Sequence, residues 1–180
     1  MVLLTTERLK LREFELTDWQ DVYAYEADPE VKKWLAYSAS SPGECQSNLD
    51  FLVEHQHEQN RLIFQLAIVL ESEQRLIGTC SLQITNRAVG EAELGYALHS
   101  AYWGRGYMSE AVLALLDYGF KTLKFRRIFG ACVPDNLSSI GVMQKVGMQK
   151  EGWLRENRII QGRLSDSLIF SILAREWQAI

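Results

Sequence analysis

The sequence contains few of the residues from which metal clusters and disulfide frameworks are built. Three cysteines and three histidines are spread over 180 residues. The cysteines are widely spaced and odd in number, which argues against a disulfide framework and against a zinc knuckle. His55 and His57 stand two residues apart, so on a helix they would not share a face as zinc ligands do. We therefore predict no metal site.

Long apolar segments and an excess of basic charge are also missing. The longest apolar run, residues 62–70, already contains Gln65, and the charged residues between positions 7 and 13 would interrupt a signal-peptide core. With 19 basic and 23 acidic residues the net charge is −4, which provides no basic field for nucleic acid. We expect a cytoplasmic protein that binds neither a membrane nor nucleic acid directly.

A hydrophobic content of 47% is enough for one substantial core, and the chain has the length of one domain. The segment most typical of a loop, residues 38–43, is followed at once by a helical pattern over residues 44–60, so it is not a domain linker. No internal repeat is present. We predict a single domain spanning residues 1–180.

A strand, a glycine-bearing loop and a helix follow one another at the centre of the chain. Residues 91–98 are predicted to be a strand because apolar and aromatic residues dominate them. A helical period begins at Tyr107 and continues to about residue 123. Its apolar face is formed by Met108, Ala111, Val112 and Leu115. Since a further strand is predicted at residues 127–133, the three elements form a crossover, which normally joins parallel strands.

The remaining strand signals predict a mixed sheet. They lie at residues 7–14, 62–70, 76–84, 149–157 and 165–173. The predicted fold is α/β of the α+β kind, with a central twisted sheet of about seven strands. The sheet is mostly antiparallel with one parallel strand–helix–strand junction, and helices cover both faces. A ligand cleft is expected at that junction, beyond the carboxyl end of strand 91–98.

The loop between this strand and the helix has the features of an anion site. Gly104 and Gly106 stand on either side of Arg105 and allow close approach of the backbone to a ligand. A helix that begins there directs unpaired N–H groups and its positive dipole end at the ligand. Phosphate is the usual occupant of such a site, and a tight turn without a ligand is the alternative.

This loop resembles motif A of the GNAT acyltransferases. In that motif a Gln or Arg is followed three positions later by Gly and, after one more residue, by Gly or Ala. Gly104 and Gly106 match, while Ala101 stands at the Gln or Arg position. The resemblance implies the GNAT fold and an enzyme that uses acetyl-CoA as co-substrate without a metal.

Over essentially its whole length, the chain is similar to the RimJ/RimL-type branch of GNAT N-acetyltransferases, which acetylate ribosomal-protein N-termini. Met148 and Phe170 depart from the usual residues of that branch. The matching residues are Thr6-Glu7-Arg8-Leu9, Glu93-Leu94-Gly95-Tyr96, the 102–107 loop, Asn136, Ser139, Lys145, Gly147, Gly162, Asp166 and Glu176-Trp177.

The resemblance implies which residues bind acetyl-CoA. The pyrophosphate is expected at the loop formed by Trp103, Gly104, Arg105, Gly106 and Tyr107. Asn136 resembles the asparagine that binds the pantetheine arm. A helix N-cap is the alternative for Asn136, and one side chain is not expected to serve both purposes readily.

The resemblance also implies catalytic residues. An amine attacks a thioester only when it is unprotonated, so a base or a water relay must remove a proton. Glu93 is our candidate base, with a solvated or substrate-positioning carboxylate as the alternative. Glu91, on the same face of the strand, is expected to share that role or to bind a cationic substrate. Ser139 resembles a serine that protonates the departing thiolate, with an exposed residue of the first helical turn as the alternative. Related ribosomal-protein enzymes carry an acid near position 158, where this chain has Arg158.

The predicted function is transfer of the acetyl group of acetyl-CoA to a primary amine by direct attack in a ternary complex. The leading acceptor is a protein N-terminal α-amine, and Trp34 and Tyr37 are expected to flank it, with core packing as their alternative. Two other functions remain open: acetylation of a small amine such as a polyamine or aminoglycoside, and a non-catalytic acyl-CoA-binding regulatory module. We expect a monomer or homodimer.

Overall fold

A computed structural model describes residues 2–177. The strands are β1 (Leu3–Thr5), β2 (Leu9–Arg12), β3 (Ile63–Leu70), β4 (Arg75–Asn86), β5 (Glu91–Leu98), β6 (Arg127–Cys132), β7 (Gln149–Ile160) and β8 (Arg163–Leu173). The α-helices are α1 (Trp19–Glu26), α2 (Pro29–Lys32), α3 (Pro42–His55), α4 (Tyr107–Lys121), α5 (Leu137–Lys145) and α6 (Ala174–Trp177). Within the described residues, no helix is long and apolar enough to cross a membrane.

The eight strands form one sheet in the order β1-β2-β3-β4-β5-β6-β8-β7. β5 and β6 pair in parallel, and every other neighbouring pair is antiparallel. The predicted fold class is therefore confirmed, including the parallel junction at the crossover through α4. That junction follows from chain connectivity, because a strand that is reached through a helix can return to the sheet in the same direction.

Helices cover both faces of the sheet. Leu66 and Ile68 of β3 pack into the cluster that contains the buried face of α4, whereas Ala67, between them, packs into the cluster that contains residues of α1 and α3. This alternation is the two-residue period of a strand buried on both faces. The predicted apolar face of α4 is buried, since Ala111, Val112 and Leu115 are fully enclosed and Met108 is nearly so.

The parallel pair opens part-way along its length, and this opening creates the site. Its register ends at Leu94 opposite Gly130. Beyond that point β5 continues to Leu98 in pairing with β4, and β6 continues to Cys132 in pairing with β8. The facing edges of β5 and β6 no longer bond to each other, so their backbone polar groups are available to a ligand lying between them.

Two details at the sheet edges differ from the sequence-based expectation. The sheet has one strand more than the seven expected, because Leu3–Thr5 pairs with β2. Three residues are too few to give a two-residue period, so pairing decides this element and sequence pattern cannot. The predicted strand 149–157 extends to Ile160 through a register shift between Leu154 and Arg158.

Candidate active site

A cavity of about 620 Å³ lies where β5 and β6 diverge. Its size is within the range of small-molecule binding sites. The second half of β5, the end of β6, the loop before α4 and the start of α5 line it. The predicted cleft at the carboxyl end of β5 is therefore present.

The loop before α4 has the backbone shape that the glycines permit. Gly104 has φ 74° and Gly106 has φ 81°, a region that residues with a Cβ rarely adopt. In the described part of the chain, the backbone amides of residues 104–107 donate to no protein acceptor. Because α4 begins at Tyr107, these amides and the helix dipole give the loop a local positive potential. The arrangement suits a phosphate group.

Arg8 holds this loop in place. Its Nη1 donates to the carbonyl of Arg105 at 3.1 Å, and its Nε donates to Oε2 of Glu110 at 2.7 Å. Partial burial alone would raise the pKa of Glu110, but the hydrogen bonds from Thr6 and Arg8 lower it. The guanidinium of Arg105 itself lies 5.7 Å from the ring centroid of Tyr102 and does not line the cavity.

Lys145 is a cation at the loop to which the sequence-based expectation gave no role. A Cβ on Gly106 would lie 3.9 Å from Lys145 Nζ, and Lys145 lines the cavity. The only sequence signal was its position in the branch pattern, two residues before Gly147.

Trp103 and Tyr107 occupy opposite ends of the loop, and both line the cavity. The indole N–H of Trp103 donates to the carbonyl of Leu98 at 2.8 Å, which fixes the loop to the end of β5. The ring of Tyr107 lies 4.5 Å beneath the guanidinium of Arg8. These contacts show how the 103–107 segment is positioned by its neighbours.

Asn136 caps α5 and also lines the cavity. Its Oδ1 accepts the backbone N–H of Ser139 at 3.0 Å. The expectation that one side chain does not readily serve both purposes stays a prediction, but the geometry allows both, because the carbonyl oxygen and the NH₂ group of one amide act separately. The NH₂ group makes no hydrogen bond to the described residues and is free to donate to a ligand.

Ser139 meets a second hydroxyl in the cavity. Its Oγ lies 2.7 Å from the phenol oxygen of Tyr96, which also donates to the backbone carbonyl of Ser139 at 3.1 Å. Burial raises the pKa of Tyr96, so this phenol stays protonated. Tyr96 was not expected at the site, although it belongs to the Glu93–Tyr96 segment that carries the resemblance. The adjacent thiol of Cys132 also has a raised pKa because it is buried.

Glu93 lines the cavity in an ion pair with Arg158. Arg158 Nη2 donates to Glu93 Oε1 at 2.7 Å, and the side chains are 33% and 30% exposed for Arg158 and Glu93 respectively. One carboxylate oxygen of Glu93 thus remains for a substrate amine or a water molecule. The two residues are 65 positions apart in the sequence, and only the sheet topology brings them together.

The three predicted acceptor residues do not lie together. Trp34 lines the cavity, but Glu91 and Tyr37 do not. Glu91 accepts hydrogen bonds from Arg127 at 2.9 Å and Thr85 at 3.0 Å. Tyr37 is exposed, and its hydroxyl donates to Glu44 at 2.6 Å. Both side chains are thus bonded outside the cavity.

Comparison with known proteins decides the family. Residues 8–149 match the model of the acetyltransferase (GNAT) domain. The N-acetyltransferase p20 of Bacillus licheniformis is 36% identical over 98% of this chain and 99% of its own length. This chain belongs to the GNAT acetyltransferase family. It is accordingly an N-acetyltransferase, and acetyl-CoA is the acyl donor of the family.

Solved structures of other GNAT acetyltransferases agree with the fold. Ribosomal-protein-S5-alanine acetyltransferase from Vibrio fischeri superposes with a TM-score of 0.86 at 28% identity, covering 98% of this chain and 99% of that one. Spermidine N-acetyltransferase from Vibrio cholerae, solved with CoA and spermine, has a TM-score of 0.82 at 21% identity, covering 96% and 99%. The second likeness shows the fold alone. The fold is therefore shared by GNAT enzymes named for different acceptors.

Proposed function

We propose that this GNAT enzyme transfers the acetyl group of acetyl-CoA directly to the α-amino group of a protein or peptide N-terminus. The charge of the cavity supports this acceptor best. Among the described residues that line the cavity, Glu93 is the one acid, and it faces Arg158, while Lys145 lies at the phosphate end. A polyamine carries several positive charges and would meet one carboxylate that already has a cationic partner, so a polyamine fits this site poorly.

The residues at the opening between β5 and β6 suit the donor. The free amides of the 104–107 loop and the ammonium of Lys145 would hold its phosphates, and the NH₂ group of Asn136 would donate to the pantetheine arm. Acetyl-CoA supplies an activated acyl group, which passes to the amine nitrogen as the thiol departs. Since burial raises the pKa of the cavity-lining thiol of Cys132 and leaves it a poor nucleophile, direct transfer is favoured over an acyl-enzyme.

Proton handling also favours an α-amine. An α-amine has a pKa near 8, so about a quarter of it is unprotonated at about pH 7.5, compared with about one molecule in a thousand for an alkyl amine of pKa near 10.4. Glu93 has one carboxylate oxygen that is not bonded to Arg158, and this oxygen can accept the proton that the amine loses, directly or through water. On the leaving-group side, the hydroxyl pair of Ser139 and Tyr96 can donate a proton to the thiolate.

A competition assay tests the acceptor. The enzyme is incubated with acetyl-CoA and equimolar alanine- and serine-initiated peptides, spermidine and an aminoglycoside, and the products are identified by mass spectrometry. We expect acetylation of a peptide α-amine in preference to the other amines. Preferential acetylation of spermidine or the aminoglycoside would overturn the acceptor assignment, and acetyl-CoA binding without transfer to a broader amine library would indicate a regulatory module.

A further inference from the structure

Arg158 is placed at the cavity by an irregular segment of β7. The register of β7 with β8 passes from Leu154 opposite Ser167 to Arg158 opposite Ser165, so residues 155–157 bulge out opposite the single residue Asp166. Bulges next to active sites commonly redirect side chains. Beyond this bulge, Arg158 and Ile160 both line the cavity.

Asp166 stabilises the bulge. Its Oδ1 accepts the backbone N–H of Glu156 at 2.8 Å, and its Oδ2 accepts the indole N–H of Trp153 at 2.5 Å. These bonds lower the pKa of Asp166. Glu156 has φ 47°, a conformation that the carboxylate of Asp166 helps to hold. The two hydrogen bonds that Asp166 accepts thus stabilise the segment of β7 that carries Arg158.

Arg158 retains hydrogen-bonding capacity after it pairs with Glu93. A guanidinium has five N–H donors, and within the described residues only Nη2 donates, to Glu93. The residues that α2 and the segment after it contribute to the cavity lining are apolar, including Val31, Trp34 and Leu35. A partly enclosed guanidinium with free donors favours a ligand oxygen, particularly one of a carbonyl or carboxylate.

The pair of charges therefore matches an amine whose α-carbon bears a carbonyl or carboxylate group. We propose that Arg158 binds the carbonyl or carboxylate oxygen next to the acceptor amine while Glu93 faces the amine, so that the enzyme selects α-amino acyl compounds. This inference rests on the proposed transfer to an α-amine and names the residue that makes the choice. A peptide N-terminus and a free amino acid share this chemistry. An alkyl amine lacks the oxygen, and a polyamine would place a second cation near the guanidinium.

The test compares acceptors with and without this carbonyl group. Alaninamide, alanine and an alanine-initiated peptide carry it, whereas 2-aminopropane has a methyl group in place of the carboxamide of alaninamide. Rates are measured over a pH series and expressed per unprotonated amine, which corrects for the different unprotonated fractions of the amines. For the wild type we expect kcat/KM for alaninamide to exceed that for 2-aminopropane by about tenfold or more, as loss of one charge-assisted hydrogen bond implies.

Arg158→Gln is the decisive variant, and Arg163→Gln on the neighbouring strand β8 is its control, because Arg163 is exposed and does not line the cavity. Arg158→Gln should raise KM for alaninamide by about tenfold with a smaller change in kcat, leave 2-aminopropane nearly unchanged and remove the discrimination. Arg158→Lys, which keeps the charge, should restore part of it. Acetyl-CoA affinity, measured by calorimetry, should be the same in all variants.

The inference is overturned if Arg158→Gln leaves the ratio of kcat/KM for alaninamide to kcat/KM for 2-aminopropane at the wild-type value. An unchanged ratio with an equal loss for both amines would mean that Arg158 only positions Glu93. The wild-type arm separates this inference from the acceptor proposed above. Transfer to free alanine but not to the peptide would refute the peptide acceptor while supporting the role of Arg158.

Discussion

Gly106→Ala tests the phosphate-binding role of the loop through a strain that can be sized from the structure. Gly106 has φ 81°, where an L-residue costs about 1 to 2 kcal/mol. A Cβ there would lie 3.6 Å from Arg8 Nη2 and 3.9 Å from Lys145 Nζ, which are ordinary contacts. Strain rather than collision therefore sets the effect, and the variant should lose about 2 to 8 °C in Tm.

Gly162→Ala is a matched control for the same backbone strain. Gly162 has φ 74°, a Cβ there would meet nothing within 4 Å, and it lies in the turn between β7 and β8. Its loss of stability should be similar, but its affinity for acetyl-CoA should equal that of the wild type. Gly106→Ala should weaken acetyl-CoA binding by about tenfold, because relaxation of the strained loop moves amides away from the charged phosphates.

Thermal unfolding and isothermal calorimetry with acetyl-CoA measure the two quantities separately. If Gly106→Ala and Gly162→Ala bind acetyl-CoA equally well while both are destabilised, the loop does not hold the phosphates through its backbone, and the assignment of residues 103–107 is refuted.

Two further predictions concern one hydrogen bond inside the cavity and one group of hydrogen bonds outside it. Tyr96→Phe should lower kcat by about two- to tenfold and leave the affinity for acetyl-CoA unchanged. The effect on kcat is small because a leaving thiolate of pKa near 8.5 needs little protonation. Stopped-flow measurement of thiol release checks this, and an unchanged kcat would exclude the phenol from the proton path. Glu44→Gln should lower Tm at neutral pH, since hydrogen bonds from Ser40 and then Tyr37 lower the pKa of Glu44 from 4.5 to about 2. That stabilisation is present above the pKa that Glu44 has in the unfolded chain and is lost as the pH falls through its pKa in the folded protein. The difference in Tm between wild type and Glu44→Gln should therefore narrow below about pH 4.5. A difference that widens below this pH would contradict the prediction.

The sequence predicts those parts of the fold that depend on local pattern and connectivity. The apolar face of α4 recurs with the helical period, and the crossover from β5 to β6 implies the parallel pair. The 103–107 loop can likewise be predicted as a candidate anion-binding loop, because two glycines directly before a helix are a local sequence pattern typical of such loops. Short β1 and the bulge of β7 carry no periodic signal, since pairing with a neighbouring strand defines them.

The parts of the site that depend on long-range pairing could not be predicted in this way. From the sequence, Arg158 was noted only because related enzymes carry an acid near this position. Its ion pair with Glu93 depends on where two strands that are distant in the sequence meet. Glu91 lies on the same strand face as Glu93 but bonds to Arg127, because β6 runs alongside the start of β5. Neither contact follows from residue spacing, which fixes the face of a strand but not the partner it meets.

The role of Glu93 as the base in peptide acetylation is tested by the initial rate of acetyl transfer to an alanine-initiated peptide, measured for the wild type and for Glu93→Gln. The amide introduced by this change would keep an oxygen that accepts the Arg158 hydrogen bond but could not take up a proton. Glu54→Gln, an exposed change on α3, is the control. We expect the wild type to acetylate the peptide, and we expect kcat to fall by about tenfold or more in Glu93→Gln, with acetyl-CoA affinity unchanged. A wild-type rate in Glu93→Gln, or a wild-type enzyme that binds acetyl-CoA but leaves the peptide unmodified, would contradict this expectation.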